Sequence, residues 1–317
     1  MAKVLVTGAA GQIGSELTLA LRDRHGADNV LATDINPKPN PDLLETGPYE
    51  IVSILDPDSL AHIAYRYDID VIYHLAAILS ATAEGNPDFA WNVNINGLKN
   101  VLDIARQKNM RRVLVPSSIA VFGPSTPKYD APQDTVLRPG TMYGVTKAAG
   151  ELLCDYYWKK YGLDVRGIRY PGLISWKTEP GGGTTDYAVA IYYAAVRGEA
   201  FTCFVSPETT LPMMYMPDAI KAMLRLAEAN VDGLRYRNAY NVTAFSFSAQ
   251  QLEESIRREI PELEVVYEPD YHQEIADGWP ATIDDAAARE DWDWQPDFDI
   301  DMMTRDMIAN LRQKLGS

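Results

Sequence analysis

A tyrosine and a lysine stand four residues apart in Tyr143-Gly-Val-Thr-Lys147. On a helix that spacing puts both side chains on one face. A lysine charge so placed favours ionisation of a phenol whose ordinary pKa is about 10. The phenolate can then take a proton from an alcohol as hydride leaves the same carbon. The chain holds 18 tyrosines, so such pairs also arise by chance, and a second one exists, Tyr156 with Lys160. It lies roughly 20 Å further along the same helix and on another side, so both pairs cannot serve one reacting centre. Context separates them. The run Val113-Leu-Val-Pro-Ser-Ser-Ile-Ala-Val-Phe-Gly123 ends a strand pattern on paired serines, and ligands bind where the strands of an open α/β sheet end. Ser118 is expected to meet Tyr143 there and orient a substrate hydroxyl; capping its own turn is the plainer alternative. Tyr156 and Lys160 are expected at the helix surface or a subunit interface.

A second constellation opens the chain. Gly8-Ala-Ala-Gly11-Gln12-Ile13-Gly14 follows a strand pattern directly and leads into an amphipathic helix. Gly8 permits the sharp turn, Gly11 lets backbone N–H groups approach a pyrophosphate, and Gly14 allows helix and strand to pack closely. Asp34 closes the second strand pattern. A carboxylate there accepts the ribose hydroxyls of adenosine and repels a 2′-phosphate, which favours NAD over NADP. Asp56 has two equal readings, a contact to the adenine amine or a cap on the helix that begins at Pro57. With the dinucleotide so housed, the stretch Pro180-Gly-Gly-Gly-Thr-Thr-Asp-Tyr187 is left for another ligand.

Positioning these groups calls for a particular architecture. Strand patterns at 3–7, 30–33, 50–53, 71–75, 112–116 and 165–170 alternate with helical patterns at 12–24, 58–67, 88–108 and 143–161. Such alternation predicts a parallel sheet covered on both faces. The fold expected is α/β, a Rossmann-type doubly wound parallel sheet with a smaller C-terminal substrate-binding lobe. The division falls at 1–170 for the NAD-binding domain and 171–317 for the lobe, with late segments partly returning to the sheet. Met213, Met214 and Met216 read as packing. Leu153, Tyr157 and Trp158 exceed what a sheet-facing stripe needs, so a homodimer through paired helices is expected.

Composition narrows the partners. A net charge of −15 repels nucleic acid and anionic lipid, so neither is expected to bind. No metal is expected either, because the four histidines and two cysteines show no ligand spacing. Two cysteines and no apolar leader or membrane-length run point to the cytoplasm.

The motifs TGAAGQIG, Asp34, HLAA (74–77), NVNINGLKNVL (92–102), SSIAVFG and YGVTK resemble the extended short-chain dehydrogenase/reductase superfamily. Within it, LSATAEGNP, PSSIAVFGPSTPK, RYPGLISW, PGGGTTDYAV, PMMYMPDAI and DGWPATIDD resemble the short-chain type of L-threonine 3-dehydrogenases, out to Pro296. That resemblance implies oxidation of the 3-hydroxyl of L-threonine with NAD, giving 2-amino-3-oxobutanoate. It makes Tyr143 the base, Lys147 the group that binds the nicotinamide ribose and tunes the phenol, and Ser118 the support of the hydroxyl. It lines the cofactor channel with Leu75, Ala76, Ala77 and Asn94 and puts Leu173 near the nicotinamide. It encloses the amino acid with Ser80, Thr184, Thr185 and Trp279. A zwitterion of that size needs donors for its carboxylate, and the Gly182 and Gly183 amides with the two threonine hydroxyls are expected to supply them. Trp279 reads as a lid or as core. The rivals are a nucleotide-sugar epimerase of the same superfamily and a non-enzymatic NAD-sensing protein. The dehydratases of that superfamily carry an acidic pair where Ile119 and Ala120 stand here.

Overall fold

Six short strands form one parallel sheet in the computed structural model, which describes residues 2–316 (Ala81 by its backbone alone). In spatial order they are Tyr49–Ile51, Val30–Asp34, Val4–Thr7, Val71–His74, Arg112–Leu114 and Val165–Arg166. The three central strands are mostly apolar and almost wholly buried, as strands covered on both faces must be. Chain order reverses beside Val4–Thr7, with Val30–Asp34 on one side and Val71–His74 on the other. The crevice at the carboxyl ends of those strands is the natural ligand site.

One expected strand divides. The pattern at 165–170 splits at Gly167, where a Cβ would lie 2.2 Å from the Val115 carbonyl oxygen. Before that point Val165–Arg166 pairs with Arg112–Leu114; after it Ile168–Tyr170 pairs with Ser117–Ser118 and Tyr240–Asn241. Pro116 interrupts the neighbouring strand at the same level, because it has no N–H to offer the ladder.

The long helix expected at 88–108 is also interrupted. It runs as Pro87–Trp91, then a wide π-turn at Asn92–Gly97, then Leu98–Gln107. A π-turn inserts one extra residue and re-aims the side chains within it, and here it turns Asn94 inward. By contrast Met142–Tyr161 is a regular 20-residue helix, capped at its start by the Thr141 hydroxyl on the Gly144 amide and ended by a left-handed Gly162.

Later segments share a core with the first strand. Val4, Leu17 and Tyr73 pack in one cluster with Met214, Met223, Trp292 and Trp294. Arg166, fully buried, pairs with Asp164 and donates to the Leu226 and Ala229 carbonyls at the end of helix Met216–Glu228. Met213, Met214 and Met216 are buried in packing roles. Gly172–Ile174, Thr210–Tyr215 and Phe245–Ser248 make a separate three-stranded sheet, of which Gly172 and Leu173 line the crevice.

Candidate active site

The glycine turn leaves no room for side chains. Gly8 has φ of 72°, and a Cβ there would sit 2.5 Å from the Ala76 nitrogen; one on Gly14 would sit 2.1 Å from the Gly8 carbonyl oxygen. Gly11 precedes helix Gln12–His25 with no side chain capping it, so the first-turn N–H groups stay available to an anion. Gly8, Gly11, Asp34, Val52–Leu55, Leu75, Ala76, Ala77 and Ile78 line one cavity beside this turn. Asp34 Oδ2 accepts the Ala10 N–H at 3.0 Å, and Oδ1 accepts that of Asn36, so the carboxylate is fixed at the cavity wall. Backbone room, free N–H groups and a set carboxylate are what a dinucleotide needs, and NAD fits here. Asp56 behaves differently. Both its oxygens cap helix Pro57–Arg66 through Ser59, and the cavity wall nearby is Val52–Leu55 instead.

A second cleft continues from the first. Its walls include Gln12, Ile13, Leu75, Ala77, Ser80, Ser118, Tyr143, Lys147, Leu173, Thr184, Thr185, Asp186 and Trp279. Helix Met142–Tyr161 brings Tyr143 to Ser118, whose hydroxyl bonds the phenol and also caps the turn Ile119–Val121 through the Ala120 amide. Ser118 therefore both meets Tyr143 and caps its own turn. Burial pushes the phenol up to about 12, against a smaller lowering from the Ser118 bond. Lys147 contributes no resolved lowering, contrary to the expectation from spacing. Its own pKa falls to about 8 through burial, with Cys154 and Glu151 acting the other way. The Lys147 ammonium donates to the Pro116 carbonyl oxygen at 2.8 Å and lies 5.6 Å from the Tyr143 ring centre.

Asn94 works as a clamp beneath this pair. Its Oδ1 accepts the Ile78 N–H at 2.7 Å, while its amide donates to the Ile78 carbonyl and the Thr146 hydroxyl. It ties the cleft-lining loop to the catalytic helix. Glu84, on the short helix Ser80–Gly85, ties the same loop to the Met142 N–H at 2.5 Å. Sequence reasoning missed Thr146 and Glu84; the signal for Thr146 was its place between Tyr143 and Lys147.

The glycine stretch corrects an expectation. Asp186 Oδ2 accepts the N–H groups of Gly181, Gly182 and Gly183 at 2.7, 2.8 and 2.8 Å. Gly182, at φ of 94°, bends the chain so that the three converge. The loop amides hold a carboxylate, but it is the protein's own. Thr184, 2% exposed, keeps a buried hydroxyl with no partner among the described residues, in the wall of the cleft. Trp279 is 8% exposed yet faces the cleft, so it is core and wall at once; Lys128 holds its carbonyl at 2.8 Å. The second Tyr–Lys pair, Tyr156 and Lys160, lies on the surface.

A family model described as "NAD dependent epimerase/dehydratase family" matches residues 4–243. The chain belongs to that family. A family member of Staphylococcus saprophyticus, described as an uncharacterized epimerase/dehydratase, is 46% identical over 99% of this chain and 98% of its own. Among solved structures, the holo form of a GalE-like L-threonine dehydrogenase from Cupriavidus necator is 50% identical, with a TM-score of 0.95 over 98% of this chain and 99% of its own. A structure described as a monomeric L-threonine 3-dehydrogenase from a metagenome is also 50% identical, with a TM-score of 0.94 over the same shares. NAD is the cofactor of the epimerase/dehydratase fold here, and this chain is an NAD-dependent oxidoreductase.

His74 closes the floor. Its Nδ1 bonds the Thr7 hydroxyl at 2.8 Å, and burial, then the Lys147 charge, pull its pKa from 6.5 to about 3. The unfolded chain therefore takes a proton that the folded one refuses. Stability from this group is fully present above pH 6.5 and is lost progressively as pH falls toward 3. His74→Asn, which keeps a side-chain group near the Thr7 hydroxyl, should lose about 2 kcal/mol less than the parent between pH 7 and pH 5. Urea unfolding of both proteins at the two pH values measures the difference; equal losses would remove His74 from the account.

Proposed function

We propose that this protein oxidises the 3-hydroxyl of L-threonine to 2-amino-3-oxobutanoate with NAD. NAD, when bound, supplies the hydride acceptor and, in its oxidised form, a positive charge. The observation that carries the reading is one cleft with Tyr143, Ser118 and Lys147 on one wall and the unpartnered Thr184 hydroxyl on the other. Its solved relatives named above as L-threonine dehydrogenases support it. Gly8, Gly11, Gln12, Ile13, Gly14 and Asp34 hold the adenosine and pyrophosphate side, with Leu75–Ala77 and Leu173 along the channel. Asn94 acts by position, since its side-chain bonds are spent within the protein. Asp56 is better read as a helix cap than as an adenine contact.

In the reaction Ser118 orients the substrate hydroxyl and Tyr143 receives its proton. Burial holds the phenol neutral in the protein alone, so its ionisation belongs to the loaded site, where Lys147 lies beside it. Ser80, Thr184 and Thr185 donate to the carboxylate in place of the loop amides that Asp186 occupies. Asp186 also lines the cleft, and its other oxygen, Oδ1, suits the substrate ammonium. Trp279 closes the amino-acid side. Tyr143→Phe keeps the ring and loses the proton acceptor, so kcat should fall at least about 100-fold. Tyr156→Phe should match the parent within roughly 2-fold. Measured NADH formation that drops alike in both would refute the choice of base.

Thr184 gives a sharper test. Replacing a buried, unbonded hydroxyl with a methyl removes a desolvation cost, so Thr184→Val should unfold at the parent's temperature or higher. The same change takes a donor from a charged substrate group, and kcat/KM for threonine should fall roughly 10- to 150-fold. Lost stability with unchanged kcat/KM would mean that the hydroxyl serves the fold instead.

For assembly we propose a homodimer. Of the residues expected at the contact, Tyr157 turns inward and bonds Asp103, Trp158 lies under the Arg237 guanidinium, and Leu153 is partly buried. The exposed apolar stripe is Val145, Leu152 and Tyr156, spaced seven and four along the helix. Phe89 and Trp91, also exposed, stand on the neighbouring short helix. The relative described as monomeric makes this a property to measure. Light scattering should give about twice 35.3 kDa, and Leu152→Glu should shift it to the monomer; a parent that is monomeric at every concentration ends the proposal. No helix among the described residues is long and apolar enough to cross a membrane, and the free, buried Cys154 and Cys203 suit a cytoplasmic setting.

A further inference from the structure

Behind Lys147 lies a small cavity that shares Pro116, Ser117 and Lys147 with the substrate cleft. His74, Asn94, Pro116, Ser117, Thr146, Lys147, Glu151 and Cys154 are among its walls. Glu151 is 6% exposed and sits one helical turn beyond Lys147. Its carboxylate accepts the Ser117 hydroxyl at 2.5 Å and two Arg169 N–H groups at 2.9 and 2.8 Å. Arg169 also donates to the Gln133 carbonyl and to Asn241, and Asn238 holds the Glu151 carbonyl and Asp155. A carboxylate so deeply buried is costly unless it is paired and hydrogen-bonded, as this one is.

The geometry supports service to the site. Ser117 stands between Pro116, whose carbonyl accepts from Lys147, and Ser118, whose hydroxyl meets Tyr143. Successive strand residues point to opposite sides, so Ser117 can be held from behind while Ser118 faces the cleft. We propose that Glu151 is a positioning residue for the reaction: through Ser117 it fixes the strand end that carries Ser118 and the Lys147 acceptor, and its charge keeps Lys147 protonated. Glu151 shares the cavity with Lys147, whereas its ion-pair partner Arg169 is not among the cavity's walls. The other titratable groups facing Lys147 are Tyr143 and Cys154 on its own helix and His74 on strand Val71–His74. All three are neutral near pH 7: burial pushes both the phenol and the thiol up and holds the imidazole unprotonated. In the unloaded protein Glu151 is then the anion beside Lys147.

This inference rests on the Tyr143–Lys147 reading and deepens it. The test follows kcat across pH 6.5 to 9.5 for the parent, Glu151→Gln, Glu151→Asp and Ser117→Ala, with NAD affinity and Tm alongside. Glu151→Gln keeps the shape and removes the charge, so the alkaline limb should move down by a unit or more. That means roughly a 10-fold loss at pH 9 and only about a 2-fold loss at pH 7, with KM for threonine and Kd for NAD nearly unchanged. Ser117→Ala, which loses only the tether, should lower kcat equally at every pH, and Glu151→Asp should retain the parent's limb. A parent-like profile in Glu151→Gln overturns the inference, as does a pH-independent loss that tracks Tm or NAD affinity. If Glu151→Gln fails to fold, Glu151→Met with Arg169→Met replaces the pair by apolar bulk; its limb must also move down, and an unmoved limb overturns the inference. An inert Tyr143→Phe beside a parent-like Glu151→Gln sinks this inference alone, whereas an active Tyr143→Phe sinks the reading beneath it.

Discussion

Pro116 lacks an N–H, and much of the site follows from that. Leu114 is the last residue of its strand in the main sheet, Val115 adds one more bond to the Arg166 carbonyl, and the chain pairs again at Ser117, in a different sheet. The step between them frees the Pro116 carbonyl, which would otherwise be spent in a ladder, to accept from Lys147. It also sets the phase of the next two residues, one serine toward Glu151 and one toward Tyr143. Gly167 makes the matching step next door, where any Cβ would strike the Val115 carbonyl. Two small backbone exceptions, side by side, turn a strand end into an active-site wall.

Buried charge is the second organising constraint. Glu151 and Arg169 are buried and Lys147 is partly buried beside Glu151, and each has a partner. An isolated buried ion would shed its charge; a paired and hydrogen-bonded one keeps it. The neutral groups around them, Tyr143, His74 and Cys154, are held neutral by burial. The protein thus stores positive charge beside a phenol that is itself uncharged until the site is filled.

Asp186 shows how a donor-rich loop can be misread. Three glycine N–H groups in a row form a concave anion site, and the aspartate a few residues on fills it. The loop gains a fixed shape that three glycines would not hold by themselves. The polar groups that line the cleft there are less conspicuous: the hydroxyls of Ser80, Thr184 and Thr185 and the second Asp186 oxygen.

The amino-acid sequence by itself determined the alternation of strands and helices, the glycine turn with Asp34, and the gathering of Tyr143, Lys147 and Ser118. These are legible because each rests on local periodicity or on a spacing that one helix or one turn enforces. It did not determine the breaks at Gly167 and Asn92–Gly97, since both answer to neighbours far along the chain. Asp56 reads equally as ligand or cap in the sequence, and in the folded protein both its oxygens bond Ser59. Tyr157 and Trp158 looked like surplus apolar surface until Asp103 and Arg237 covered them. The phenol's state was decided the same way, by burial that no spacing reveals. Spacing fixes which groups can meet. Only the packed protein fixes how much water they lose and which of their bonds are already taken.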